Sequence, residues 1–199
     1  MYTLLPEIRS NLVMALKDAR TLEDVAGIPG RLTAVFGRIT AHAYTAWGAS
    51  FYTALILLEA RKIRPEIRSA MEIKYSPELV GRIEKLGIPI ARLDIHEGDE
   101  LGTILNSAVQ GGNLADLFYT ESDFAREGAI IITGRDAVEV AGIAVRLASA
   151  ACYTGAGQNR YKSCRFDLPW VLVPHVKLKF CNFDYYGNLY QLDLYRVVC

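Results

Sequence analysis

The residues best placed to do chemistry in this chain are Gly48, Ala49 and Ser50, which open a run carrying Phe51, Ala54, Leu55 and Leu58 at helical spacing. A helix whose first turn has almost no side-chain bulk leaves its free backbone N–H groups open to an anion, so a phosphate could dock there. The same small residues would equally let a helix start pack against a sheet, and Ser50 would serve as an ordinary N-cap. Two arginines occupy comparable positions. Arg31 follows the sharp turn built from Gly27, Pro29 and Gly30, and Arg38 follows a break at Gly37. The three histidines, His42, His96 and His175, have no spacing that makes a metal site or a Ser-His-Asp triad. The four cysteines, Cys152, Cys164, Cys181 and Cys199, lack close Cys-x-x-Cys pairs and read as free thiols. No metal ligand set is expected.

Positioning these residues requires a folded core, and 199 residues with 51% hydrophobic and 22% charged side chains suffice for one well-buried domain with a small appendage. Lys plus Arg equals Asp plus Glu at 22 each, so no bulk charge favours nucleic acid or an anionic membrane. Any phosphate binding must be local. The first ten residues lack the pattern of a signal peptide, and no apolar run approaches the ~18 residues of a membrane helix, so a cytoplasmic protein is expected. A homo-oligomer is compatible with the sequence, which does not fix the oligomeric state.

The elements follow from pattern. Residues 6–19 read as a first helix, with Pro6 at its start and Ile8, Leu12, Val13 and Leu16 on one side. Thr21 with Asp24 makes a capping pair for a short helical turn. Residues 32–43 suit two short strands around Gly37. Residues 48–76 read as a helix, a second short helical turn after Pro65, and a buried strand from Met71 to Tyr75. Ser76, Pro77 and Glu78 start a helix ending at Gly87, followed by a strand over residues 88–94 and a helix over 100–110. Residues 117–119 and 129–133 read as strands around a polar loop, and Asp136 with Glu139 caps a helix finishing near Ala148. Strands alternating with helices imply an α/β domain.

At about Ser149 the composition changes: residues beyond Cys152 hold six of the eleven tyrosines. The division is thus a domain over 1–148 and an extension over 149–199, read either as a β-hairpin covering a sheet edge or as an accidental addition.

The segments LLPEIRSNLVMAL, TLEDVAGIPGR, FGRITA, WGAS, RPEIRSAMEIKYS and the stretch from ADLFY to GRDAVEV, in this order over residues 3–148, resemble the successive signatures of the ThiN-type thiamine-phosphate synthase domain. The resemblance implies a three-layer α/β/α fold with a mixed, largely antiparallel sheet, similar to class II aldolases. It also implies a reaction: hydroxymethylpyrimidine diphosphate joins hydroxyethylthiazole phosphate, giving thiamine phosphate and diphosphate. That chemistry needs a cradle for phosphate and diphosphate and a site tolerating positive charge on the pyrimidine methylene. Arginine suits the leaving group, being permanently charged and bidentate.

By the same resemblance Arg31 is the catalytic arginine, and Tyr52 stands where the family has a catalytic histidine. A phenol with a pKa near ~10 cannot shuttle protons near neutrality as imidazole does. Arg38, Gly48, Ala49 and Ser50 would bind substrate, as would Asp123 and Arg126 in a polar loop that keeps its charges. Glu72 replaces an expected asparagine and would repel phosphate if it faced the ligand. His42, near in sequence, is a conceivable substitute imidazole. Against these stand plainer roles: Arg31 as a salt-bridged loop residue and Tyr52 as a half-buried aromatic. Magnesium would help diphosphate depart, though no carboxylate cluster identifies its ligands. The functional alternatives are a synthase, a non-catalytic sensor of thiamine phosphate, and a degenerate subunit.

Overall fold

The computed structural model describes residues 4–36, 38–95, 98–110, 113–123 and 126–152. The chain enters through a turn in which Arg9 N–H donates to the Pro6 carbonyl at 3.0 Å, with Arg9 at φ 71°. A residue in the left-handed region cannot continue a right-handed helix. The helix expected over residues 6–19 is instead this turn followed by strand β1 (Leu12–Ala15). Val13 and Ala15 are buried while Leu12 and Met14 are only half-buried, a period of two. Pairing on both edges, with β2 (Val25–Gly27) and with the later segment Ser69–Lys74, overrides the helical spacing of Ile8, Leu12 and Leu16. Ile8, which that helix would have buried, is 55% exposed.

The capping pair forms as expected. Asp24 Oδ2 accepts the Thr21 N–H at 2.9 Å and closes a 3-10 turn over Leu22–Asp24 ahead of β2. Strands β3 (Leu32–Val35) and β4 (Arg38–Ala41) form an antiparallel hairpin, and the short β5 (Ala46–Trp47) pairs with β2. Helix α1 (Tyr52–Ile63) buries Thr53, Ala54, Ile56, Leu57 and Ala60. A hydrogen-bonded turn at Pro65 then leads into β6 (Ser69–Lys74), the most deeply buried strand of this half. Helix α2 (Pro77–Lys85) is capped by Ser76, whose Oγ accepts the Leu79 N–H at 3.2 Å, with Pro77 in its first turn.

Beyond β7 (Ile90–Arg92), helix α3 covers only Leu101–Ser107. The helix expected to reach residue 110 stops at Ser107, whose hydroxyl donates to the Ile104 carbonyl at 2.6 Å, because the residues that would continue it pair with a later segment instead. Residues 109 and 110 become β8 (Val109–Gln110), paired with β9 (Asn113–Leu114). Strands β10 (Leu117–Thr120) and β11 (Ala129–Gly134) precede α4 (Ala137–Cys152), whose first turn is held by Asp136 Oδ1 accepting the Glu139 N–H at 2.8 Å. The expected C-terminal β-hairpin lies outside the described residues.

Seven strands form the main sheet in the order β5-β2-β1-β6-β11-β10-β7. All neighbours are antiparallel except β10 and β7. One face packs Val13, Ala70, Phe118 and Ile131 under α1 and α3. The other packs Met71, Ile73, Ile130 and Ile132 under α2, α4 and the β3-β4 hairpin. This is a three-layer α/β/α fold with a mixed, largely antiparallel sheet. Each fully buried Leu or Ile, such as Leu57 or Ile130, contributes about 1.5–3 kcal/mol to holding the layers together. Among the described residues no helix is long and apolar enough to cross a membrane.

Candidate active site

The Pro29-Gly30 turn is fixed from below. The Arg31 N–H donates to the Ile28 carbonyl at 3.0 Å, with Pro29 and Gly30 (φ 76°) between them, the conformation that a type II turn asks of Pro and Gly. Buried Asn11 clamps the turn from both sides: its Nδ2 donates to the Ile28 carbonyl at 3.2 Å and its Oδ1 accepts the Ile28 N–H at 3.0 Å. Arg31 itself sits at φ 65°. A non-glycine residue in that region is strained by about 1 kcal/mol, a cost retained where the side chain must point in one direction. Its Nη1 donates to the Ile8 carbonyl at 2.7 Å.

Segment 7–8 is in turn tied to the loop between β10 and β11. The Glu127 carboxylate accepts the Glu7 and Ile8 N–H groups at 2.9 and 3.2 Å. Thus Glu127, Ile8 and Arg31 form one chain of hydrogen bonds linking two loops far apart in sequence. In the same loop Asp123 and Arg126 exchange two backbone hydrogen bonds of 3.0 Å, and Arg126 Nη2 lies 3.8 Å from Asp123 Oδ2. The Nε of Arg126 is buried without a hydrogen-bond partner.

Helix α1 begins close to both. Gly48, at φ 65°, donates its N–H to the Val25 carbonyl at 3.0 Å and turns the chain toward the helix. A Cβ on Gly27 would come within 3.1 Å of the Ser50 Cβ, so Gly27 lets buried Ser50 sit against β2. The cap position falls on Phe51 rather than Ser50. No side chain caps the helix and no acidic residue lies in its first turn, which leaves its N-terminal N–H groups and positive dipole end without a side-chain acceptor. Tyr52, half exposed, stands at this end. Burial pushes its phenol above its ordinary range, Glu72 raises it further, and Arg126 opposes. The phenol is therefore a neutral hydrogen-bond donor at pH 7.

Glu72 completes the cluster. It projects from β6 to the face shared by Ala70 and α1, is 5% exposed, and has a buried Oε1 without a partner. Burial pushes its carboxyl up to about 7, while the Arg31 guanidinium and the Thr53 hydroxyl pull the other way. The expectation that Glu72 would simply repel phosphate needs revision: near neutrality the carboxyl is about half protonated.

Of the residues predicted from sequence, Arg31, Tyr52 and Arg126 act on one shared cluster, with Ser50 packed beside it and Asp123 beside Arg126. Arg38 opens β4 opposite Val35, at the far end of the hairpin from the Leu32–Ala41 pair that adjoins Arg31. His42 is exposed and hydrogen-bonds Thr33 rather than joining the cluster. His96 and His175 lie outside the described residues. Sequence reasoning missed Thr53, Asn11 and Glu127, and it raised Glu72 only conditionally, as a charge that would repel phosphate if it faced the ligand. A signal existed for Glu72 alone, a charged residue between Met71 and Ile73 in an otherwise buried strand. The small apolar recess lined by Leu4, Ile39, Met71 and Ile73 lies on the opposite face and offers no polar group.

Comparison with known proteins agrees with this architecture. The family model described as Thiamine-phosphate synthase ThiN matches residues 1–146. The thiamine-phosphate synthase ThiN of Methanothermobacter thermautotrophicus is 32% identical over 174 residues, covering 82% of this chain and 86% of its own. The bifunctional thiamine biosynthesis protein ThiDN of Methanocaldococcus jannaschii is 33% identical over 146 residues, which are 70% of this chain and 34% of that longer protein. Among solved structures, the C-terminal domain of protein MJ0236 superposes with a TM-score of 0.67 at 26% identity, covering 75% of this chain and 86% of that one. The C-terminal domain of a phosphomethylpyrimidine kinase gives 0.64 at 26% identity, covering 73% and 88%. Motif order, sheet topology and these likenesses agree, and the chain belongs to the thiamine-phosphate synthase ThiN family of thiamine biosynthesis.

Proposed function

We propose that the chain is a thiamine-phosphate synthase, condensing hydroxymethylpyrimidine diphosphate with hydroxyethylthiazole phosphate and releasing diphosphate. The observation that supports this reading is the uncapped start of α1, where Tyr52 feels the charge of Arg126 and buried Glu72 beside it feels that of Arg31. As the methylene C–O bond breaks, its electron pair leaves with diphosphate. The charge gathering on the leaving oxygens is stabilised by two guanidinium groups and by backbone N–H groups already oriented before reaction. The thiazole nitrogen then donates its lone pair to the methylene carbon. In this scheme Arg31 is the catalytic clamp, Tyr52 donates a hydrogen bond to a phosphate oxygen, and Asp123 orients Arg126. Gly48, Ala49 and Ser50 bring backbone close to the second phosphate.

Among the described residues no group of three or more His, Cys, Asp or Glu side chains comes together. Magnesium, if the reaction uses it, would be held largely by the oxygens of the diphosphate and would neutralise their charge.

One observation favours a second reading. Tyr52 occupies the place of the expected imidazole and its phenol is held protonated, which suits binding without turnover, as in a thiamine phosphate sensor. The deciding experiment incubates the full chain with both substrates and resolves thiamine phosphate by chromatography. Turnover abolished in Arg31→Ala supports the synthase. No turnover with micromolar binding of thiamine phosphate replaces it with the sensor.

A further inference from the structure

The phosphate scheme leaves one buried group of the cluster without a task. Other buried polar side chains around β1 and β6 are satisfied: Asn11 by both polar groups of Ile28, Ser10 by the Glu72 carbonyl, and Ser69 by the Val13 carbonyl at 2.7 Å. Oε1 of Glu72 is the exception, buried with no partner and lying at the start of α1. Native proteins seldom leave such an atom unpaired unless something else completes it. The flanking arginines already serve phosphate, and Glu72 could face phosphate oxygens only in its protonated form, as a donor, which leaves its accepting capacity unused. A carboxyl matches an edge that offers an N–H donor, or a ring nitrogen beside an exocyclic amine.

We propose that Glu72 is a further substrate-contacting residue, whose free Oε1 accepts a hydrogen bond from the exocyclic amine of the pyrimidine substrate and so aims its methylene carbon at the Arg31 and Arg126 clamp. This rests on the synthase reading. When the C–O bond breaks and diphosphate leaves with the electron pair, positive charge spreads from the methylene through the ring onto the amine nitrogen. The amine N–H becomes a stronger donor, and its bond to the carboxylate strengthens as the transition state is reached. Formation of the C–N bond by the thiazole lone pair then moves the charge to the thiazolium ring. No proton needs to be lost, and no further reactant is required. The ionised carboxylate is the effective form.

The groups facing Glu72 set its response to pH. Arg31 approaches from the turn before β3, Thr53 and Tyr52 from α1, and Arg126 from the β10–β11 loop through Tyr52, while Asn11 and Ile131 adjoin it on the neighbouring strands. Burial raises the Tyr52 phenol further above its ordinary range and pushes Glu72 up to about 7, so Glu72 is the group of this cluster whose charge changes near neutrality.

The test compares wild type with Glu72→Gln and Glu72→Asp in the full chain, after far-ultraviolet circular dichroism has verified folding. Wild-type kcat rises between pH 6 and 8. In Glu72→Gln it falls about ten- to a hundred-fold at pH 8 and loses that rise, while KM for the thiazole phosphate stays within about two-fold. An unchanged kcat and pH profile, or an equal loss of affinity for both substrates, overturns the proposal. Calorimetry with the unphosphorylated hydroxymethylpyrimidine separates this idea from the reaction itself. If wild type shows no turnover yet binds this alcohol at least about ten-fold more tightly than Glu72→Gln, the recognition role stands and the synthase reading falls. Equal binding to both proteins, or none to wild type, overturns the recognition role whatever the turnover.

Discussion

Glutamine in place of Glu72 keeps the side chain's size and removes its charge, which makes it a direct measure of what burying that carboxyl costs the fold. In the folded protein the carboxyl is pushed from 4.5 to about 7, chiefly by burial. That rise corresponds to about 3 kcal/mol between the ionised and neutral forms, at 1.36 kcal/mol for each factor of ten in acidity. Between pH 4.5 and 7 the native state retains a proton that the unfolded chain has released. Wild type therefore has this stability in full below about 4.5 and loses it progressively as pH rises through 7. The glutamine variant has nothing to lose. Urea unfolding at pH 5, 6, 7 and 8 should give equal stabilities within about 1 kcal/mol at pH 5 and a variant more stable by about 3 kcal/mol at pH 8. For a domain of this size that is a melting temperature higher by about 6–12 °C. Taking the difference between the two proteins cancels groups with lowered values, such as Asp24, Glu78 and Glu139, which act in both. A difference that does not vary with pH, or that favours wild type at pH 8, would refute the burial argument. A residue that destabilises the fold at working pH is retained for activity, which links this measurement to the recognition role proposed for Glu72.

Three further outcomes follow from the geometry. Tyr52→His restores a group that titrates near neutrality at the helix start; kcat should rise at least about ten-fold with KM little changed, read by product chromatography. Asn11→Leu removes both hydrogen bonds that clamp Ile28; chemical denaturation should show a loss of about 2–4 kcal/mol, with a raised KM for the diphosphate substrate as the Arg31 turn loosens. Gly128→Ala would place a Cβ 2.7 Å from the Ser122 nitrogen and 2.8 Å from the Thr120 oxygen, both backbone atoms; thermal unfolding should register at least about 2 kcal/mol of destabilisation, because neither neighbour can swing aside.

Much of the local structure was legible along the chain. Thr21 with Asp24, Ser76 with Pro77, and Asp136 with Glu139 each announce a helical turn because the cap and the N–H group it satisfies lie within three or four residues. The Pro29-Gly30 turn and the strands over β10 and β11 were readable for the same reason. The helix expected over residues 6–19 failed because its competitor was not local: β1 is held by strands reached only after 10 and more than 50 further residues. Helix α3 stopped at Ser107 because Val109 and Gln110 pair with Leu114 and Asn113, a partner that helical periodicity does not weigh.

The site divides along the same line. Sequence alone determined the family, and it offered the arginine after the turn, the small-residue helix start and Tyr52 as site residues through the resemblance, since each is a matter of residue type at a position in a motif. Tertiary structure decided that Arg126 acts on Tyr52 and Arg31 on Glu72, that Glu127 couples two distant loops through Ile8, and that Glu72 is buried at the start of α1 with an unpaired oxygen. The physical reason is that charge and hydrogen-bonding capacity belong to the residue, whereas burial, and with it the acidity of Glu72, belongs to whatever the fold brings around it.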